Sequence, residues 1–317
     1  MTVTAGAKIM TEQERDTSER DEKRPAISVL TPAYNEESHI LDCMASVQSQ
    51  SMADFEHIIV DDQSSDDTYA IAKRHADSRT MVLENPTKGK LAALKHAYNN
   101  SSGRFIVLLA GDDLLPPDSL EKRFGCMEGV DALHDLAVAR GHLKSFSQDP
   151  HFDGLMIPKH KRGYFSGGVI IMSRAFADKA FDVPDSLPNE DTWIRLCAEH
   201  LGATLVDSPG VSLLYRIHSE NTSASRGDFK TAVSGYSKRE RVAEVFLEKY
   251  EAAISDDSKS RIKSKLDLEE ARANGTLLDV LTVKGVSMTE KLRALVFRYQ
   301  LAYKARNKLW RYIVGWR

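Results

Sequence analysis

The chain alternates short apolar runs with stretches where apolar residues return every three or four positions. Ile27 to Leu30, Phe55 to Val60, Met81 to Leu83 and Phe105 to Leu109 have the length and apolar character of strands. Between them, Ile40, Leu41, Met44 and Val47 occupy one face of a helix over 40–47. Thr68 to Ala76 is helical, and Leu91, Leu94 and Tyr98 share a face over 91–98. The first strand is expected to stop at Thr31-Pro32, the second at Asp61-Asp62 and the fourth at Gly111-Asp112-Asp113. Strands alternating with helices at this spacing predict β-α-β units and a mostly parallel central sheet flanked by helices, an α/β fold. Ligands of such sheets sit beyond the carboxyl ends of the strands, so two aspartate pairs share the rim where a ligand belongs.

The second half is less regular. Leu136 to Lys144 reads as a strand, and Ser145 to Tyr164, rich in His, Lys, Pro and Gly, as a long loop. Val169 to Met172 is apolar and Ala175 to Ala180 helical, with a two-proline loop over Phe181 to Asn189. Glu190 to His200 is a helix with Gly202 as its stop signal, and Val211 to Ile217 is a strand. After Asp228 the pattern is helical, with breaks expected at Asn274-Gly275 and near Gly285. These shifts divide the chain into a disordered polar tail over 1–24, an α/β domain over 25–228 and a helical extension over 229–317. Within the domain, 25–115 is the ligand-binding half.

Composition narrows the function. Hydrophobic residues make up 42% and charged residues 28% of 317 positions, an ordinary globular balance. A net charge of −3 argues against a nucleic-acid coat. Cys43, Cys126 and Cys197 are far apart and form no CxxC pair, which speaks against a disulfide framework or cysteine zinc site and suits a reducing cytoplasm. The run TEQERDTSERDEKR over 11–24 lacks the apolar core of a secretory signal, and no stretch of about 18 apolar residues predicts a membrane span.

The segments ISVLTPAYNEE, VDDQSSDDT, TKGKLAALKHA and LLAGDDLLPP, followed by NEDTWIRL and YRIHSENTS, carry the chemistry. Their order and spacing resemble the family-2 glycosyltransferases of the GT-A fold, over residues 25 to 222. The resemblance implies an inverting enzyme that moves a sugar from a nucleotide diphosphate, UDP in first place, to a hydroxyl of a saccharide or lipid-linked acceptor. It also implies a divalent cofactor, Mn²⁺ or Mg²⁺. No GxGxxG follows the first strand, which disfavours a dinucleotide oxidoreductase.

The resemblance assigns roles residue by residue. Pro32, Tyr34 and Asn35 form the nucleotide-contacting turn, where a Tyr ring can lie against a base or ribose. Asp62 accepts from a nucleobase N–H, a chemistry that suits uracil. The alternative for Asp62 is helix capping. Lys90 at a helix N-terminus is unfavourable for the macrodipole, and a diphosphate there would compensate it. The family's Asp-x-Asp-Asp stands here as Ala110-Gly111-Asp112-Asp113, so Gly111 lies in the nucleotide-binding segment, while Asp112, Asp113 and the late His218 are the metal candidates. Ala110 replaces the first aspartate, which leaves open a nucleotide-sugar-binding protein without turnover. Glu190 and Asp191 resemble the family's catalytic pair, with Asp191 as the base and each carboxylate raising the other's proton affinity. Gly167, Gly168, Trp193 and Arg216 fall in the acceptor or diphosphate region.

The C-terminal end adds a separate signal. Leu292, Leu295, Val296, Tyr299 and Tyr303 fit one helical face, and Arg293, Arg298, Lys304, Arg306, Lys308 and Arg311 lie among or opposite them. Trp310, Tyr312 and Trp316 follow. One basic amphipathic helix from Thr289 onward is expected, either lying on the inner face of a membrane or packed on the domain.

Overall fold

The computed structural model describes residues 24–159, 162–184, 187, 190–218 and 229–313, with side chains as far as Arg306. The expected tail lies almost wholly outside the described residues, as do the side chains of Trp310, Tyr312 and Trp316. One eight-stranded sheet organises the first two thirds of the chain. Strands β1 (Ile27–Ala33), β2 (Phe55–Asp61), β3 (Thr80–Glu84) and β4 (Phe105–Leu108) are parallel, in the spatial order β3-β2-β1-β4. Helices α1 (Ile40–Gln48), α2 (Thr68–His75) and α3 (Lys90–Asn99) are the crossovers. Ile27, Val29 and Leu30 on β1 and Ile106 and Val107 on β4 are fully buried. A parallel strand covered on both faces needs a nearly continuous apolar run, in β1 broken only by the buried Ser28 before Thr31, which is why the apolar pattern located these strands.

Beyond β4 the sheet becomes mixed. After α4 (Ser119–Gly125), β5 (Ala137–Ser147) runs antiparallel to the short β6 (Met156–Ile157) and to β7 (Ile171–Ser173), which is itself antiparallel to β4. Helices α5 (Arg174–Phe181) and α6 (Glu190–His200) follow, and β8 (Thr204–Ile217) then pairs in parallel with β5. The expected loop over 145–164 thus contains the end of β5 and all of β6.

Two strand limits differ from expectation for physical reasons. β1 continues through Pro32 to Ala33. The β4 ladder ends at Leu30–Leu108, and beyond it Pro32 is registered with Val60 of β2 alone, so no β4 bond is lost to the missing N–H. β8 begins seven residues before the expected Val211, through Asp207-Ser208-Pro209-Gly210, a run that reads as a turn. Register shifts on either side of His142 absorb the irregularity, Gly210 takes φ 71°, and Arg140 clamps the early part through Nε to Asp207 Oδ1 at 2.7 Å.

The extension comprises α7 (Phe229–Tyr250), α8 (Asp256–Asn274), α9 (Leu277–Thr282), α10 (Met288–Arg298) and α11 (Gln300–Ile313). The expected single helix from Thr289 is two helices, because Tyr299 adopts extended φ/ψ of −112° and 119°. The predicted stripe is divided accordingly. Tyr303 is buried with Phe297 and Tyr236, whereas Leu292 and Tyr299 are exposed. Phe297 stacks on Tyr236 at 4.6 Å, and Arg293 and Arg306 lie over the Tyr236 and Phe297 rings. At its other end α7 buries Phe246 edge-on against Trp193 of α6, with ring centroids 5.6 Å apart.

Candidate active site

The site residues gather on the carboxyl-end rim of β1, β2 and β4. Where β1 ends, Tyr34 is exposed and Lys88 Nζ lies 4.3 Å from its ring centroid. Asn35 has φ 54°, a left-handed conformation that Asn tolerates better than most residues. It is held by three hydrogen bonds to the loop after β2, one of them from the Ser65 hydroxyl to its Oδ1 at 3.3 Å. Its N–H donates to Ser64 Oγ at 3.0 Å, and its Oδ1 accepts from the Ser65 N–H at 2.9 Å. Pro32 itself lies within β1.

Asp62 is buried beyond the end of β2. Its Oδ1 accepts from Asn85 Nδ2 and from the Gly89 N–H, both at 2.7 Å. This carboxylate therefore fastens the loop that leads into α3. Asn85, at the end of β3, was missed by sequence reasoning; the polar residue between a strand and Pro86 was the available signal.

Lys90 opens α3, and its Nζ lies 2.5 Å from Glu190 Oε1 at the start of α6. Burial lowers the Lys90 pKa, but Glu190 and Asp191, with Asp112 behind them, outweigh that and raise it. Its side chain is still 61% exposed, so water reaches the ammonium within this acidic surround. The Asp191 carboxylate accepts from the Gly167 N–H through Oδ1 at 2.7 Å. Burial raises the Asp191 pKa and Glu190 raises it further, while Lys90 and the Gly167 N–H pull it back.

The turn that supplies Gly167 is held from beneath. Arg123 of α4 is fully buried and donates to the carbonyls of Gly168 at 2.9 Å and Ile170 at 3.1 Å. Gly168 packs closely on Leu213, where an added Cβ would stand 2.6 Å from a methyl and force it to shift. Arg123 was not singled out from sequence; an arginine on a short helix reads as a solvated face.

At the end of β4, Gly111 packs against β1, where an added Cβ would meet Glu36 Cγ at 3.2 Å and Ala33 Cβ at 3.3 Å. Asp112 Oδ2 lies 3.2 Å from His218 Nε2. Asp113 is buried, and its Oδ1 accepts from the Arg216 N–H at 2.9 Å. Burial and the neighbouring Asp112 push the Asp113 pKa well above the usual carboxylate range. The Arg216 side chain donates to the Asp112 carbonyl at 2.8 Å and to Asp42 Oδ2 at 3.0 Å, so it ties the end of β8 to β4 and α1.

Trp193 is turned away from the first-turn acids of its helix. It is fully buried among Phe246 and Tyr250. On α6 the first-turn acids face Lys90 and Gly167, while Trp193, Ile194 and Cys197 face the core. Its place is in packing.

Asp112 and His218 offer a hard oxygen and an imidazole nitrogen side by side, a donor pair that suits a divalent ion whose other positions are filled by phosphate oxygens and water. Among the described residues no group of three or more His, Cys, Asp or Glu side chains is arranged to hold a metal by itself.

Residues 28–180 match the family model described as Glycosyl transferase family 2. The chain is 37% identical over 108 residues to "Putative glycosyltransferase EpsE" of Bacillus subtilis, covering 33% of this chain and 39% of that protein. It is 36% identical over 102 residues to "UDP-Glc:alpha-D-GlcNAc-diphosphoundecaprenol beta-1,3-glucosyltransferase WfgD" of Escherichia coli, covering 32% of this chain and 40% of that one. The aligned part therefore spans less than half of either relative. Among solved structures, S. aureus TarS 1–349 with UDP-GlcNAc superimposes with a TM-score of 0.57 at 19% identity, covering 85% of this chain and 79% of that one. A mannosyltransferase of Pyrobaculum calidifontis with GDP-Man and Mn²⁺ gives 0.54 at 16% identity, covering 90% and 87%. At these identities the likeness establishes the GT-A-like fold.

Proposed function

This chain belongs to the family-2 glycosyltransferases of the GT-A superfamily, and from that premise we propose that it transfers a sugar from a UDP-sugar to a hydroxyl of a saccharide or lipid-linked acceptor, with inversion. The observation that carries the proposal is the Lys90 bridge. One side chain of the nucleotide-binding half contacts Glu190 of the pair that contains Asp191, within the field of Asp112. A donor diphosphate beside Lys90 and Asp112 would therefore lie next to an acid whose proton affinity is already elevated.

Asp191 is the base in this reading. Its raised pKa makes it a stronger proton acceptor than an ordinary aspartate, and the Gly167 N–H fixes one oxygen so that the other is oriented. The acceptor oxygen attacks the anomeric carbon as it loses its proton to Asp191, and the bond to the diphosphate breaks on the opposite face. Lys90, released from Glu190, meets the departing phosphate charge. Asp112 and His218 would hold the divalent ion, which when bound supplies further neutralisation of the diphosphate. WfgD is named for a diphosphoundecaprenol-linked acceptor, and that name favours a lipid-linked acceptor here as well.

The second reading, nucleotide-sugar binding without turnover, rests on Ala110 in place of an acid. Release of UDP from a panel of UDP-sugars with Mn²⁺ separates the two. Turnover of one donor that disappears in Asp191→Asn supports the transferase. Donor binding with no UDP release, with or without saccharide and lipid-linked acceptors, sinks it.

A further inference from the structure

The helical extension displays large apolar side chains to solvent. Leu278 at the start of α9 is 69% exposed, Met288 and Leu292 on α10 are 59% and 55% exposed, and Leu301 on α11 is 82% exposed. On α10 the inward side is taken by Ala294 and Phe297. Met288 and Leu292 are four residues apart, and at about 100° per residue they lie on the side opposite that buried pair. They belong to an outer apolar face, separate from the core contacts of the same helix.

That outer face stands in a basic stretch. From Val280 to Arg317 the sole acid is Glu290, in a chain whose net charge is −3. Glu290 is engaged locally, since its carboxylate accepts from the Ser287 N–H at 2.8 Å and from the Ser287 hydroxyl at 2.7 Å. Lys284, Arg293 and Lys304 are exposed. Some of the bases serve packing, as where Arg298 donates to the carbonyls of Arg272 and Gly275. Arg293, although exposed, lies over the Tyr236 ring, whereas Lys284 and Lys304 stand in solvent.

We propose that α9, α10 and α11 form a docking surface for an anionic lipid bilayer. Leu278, Met288, Leu292 and Leu301 would enter the boundary between headgroups and acyl chains, and the lysines and arginines would meet the anionic headgroups. Charge selects lipid over a second copy of the chain. A two-fold contact would place this basic face against itself, and like charges would oppose it. No helix among the described residues is long and apolar enough to cross a membrane, so the attachment is to the surface. It does not depend on the transferase reading, because it involves none of the rim residues.

The test is co-sedimentation of the full chain with vesicles. Phosphatidylcholine vesicles are compared with vesicles of equal parts phosphatidylcholine and phosphatidylglycerol. The protein is expected to sediment with the anionic vesicles at low salt and to be released at high salt, where headgroup attraction is screened. Lys284→Glu with Lys304→Glu should weaken partitioning about tenfold or more. Met288→Ser with Leu292→Ser should weaken it as well, with the thermal unfolding midpoint unchanged. Met81→Ser, at an exposed apolar position of β3, should leave partitioning as in the parent. Failure to sediment with anionic vesicles at low salt overturns the proposal. So does equal loss in the Met81 variant. Self-association that the Met288/Leu292 variant abolishes, without vesicle binding, gives the face to a second copy.

Discussion

Asp112-Asp113 follows a buried strand, while Glu190-Asp191 opens a helix, and in both pairs one acid has a cationic or imidazole partner and the other accepts a backbone N–H. Asp112 pairs with His218 and Glu190 with Lys90. Asp113 accepts from the Arg216 N–H and Asp191 from the Gly167 N–H. Burial raises the pKa of both backbone-held acids. The difference is access. Asp113 is only 4% exposed, whereas Asp191 remains partly exposed. A raised carboxylate closed off from substrate can hold β8 in place but cannot take a proton from an acceptor. A raised carboxylate on a partly exposed residue can. The same electrostatic device therefore serves support in one pair and, in our reading, catalysis in the other.

The largest expected effect is at the open acid. Asp191→Asn keeps an oxygen for the Gly167 N–H but removes the base, and turnover should fall by about 10²-fold or more with donor binding nearly intact. Steady-state kinetics and a donor titration on the same variant check this. Near-normal turnover would move the role elsewhere, with Glu190 the first place to look.

Next is Asp112→Asn, which removes the charge from the less buried acid of the first pair. Mn²⁺-dependent UDP affinity should fall on the order of tenfold or more, measured by calorimetric titration. Unchanged metal-dependent affinity would remove Asp112 from the metal assignment and break the division of labour drawn above.

How much of this contrast was legible in the sequence depends on what holds each residue. The strand-end acids were visible because β1, β2 and β4 are buried on both faces, and their apolar runs stop where the rim begins. The beginning of α6 was visible because acids favour a first helical turn. The supports were not. Asn85 and Arg123 act through distant backbone groups, Gly89 and the Gly168 and Ile170 carbonyls, and no local pattern announces such partners. Trp193 was placed near the acceptor by its motif, but α6 turns it toward Phe246. The early half of β8 was hidden by Pro209-Gly210, whose turn chemistry a register shift accommodates. In the extension, the apolar face predicted a helix but missed the extended residue at Tyr299, with Phe297 and Tyr303 buried in one cluster on either side of it.

A smaller effect distinguishes the two acids within the second pair. Asp191 must be ionised to act, so activity falls as pH drops through its raised pKa, and the acid limb of kcat/KM should lie above the ordinary aspartate value of about 3.9. Glu190→Gln removes one of the charges that raise it and leaves Lys90 without that partner. Both changes lower the Asp191 pKa, so the acid limb should move to lower pH. A limb that stays fixed in this variant, or moves up, would show that another group titrates.

The smallest effect is expected at the closed acid, where the two pairs are most easily confused. Asp113→Asn keeps an oxygen in place for the Arg216 N–H and deletes only the charge beside Asp112. If Asp113 supports β8 and does not hold the ion, Mn²⁺-dependent UDP affinity should stay within about threefold of the parent, a difference of less than 1 kcal/mol. Asp113→Ala is the complementary variant. It leaves the Arg216 N–H without its acceptor at a buried position, and stability by urea unfolding should fall by about 1–3 kcal/mol. The two variants together separate charge from hydrogen bonding, since Asp113→Asn removes the charge alone and Asp113→Ala removes both. Loss of metal-dependent affinity in Asp113→Asn as large as in Asp112→Asn would make Asp113 a ligand, and burial would then have failed to mark it as support.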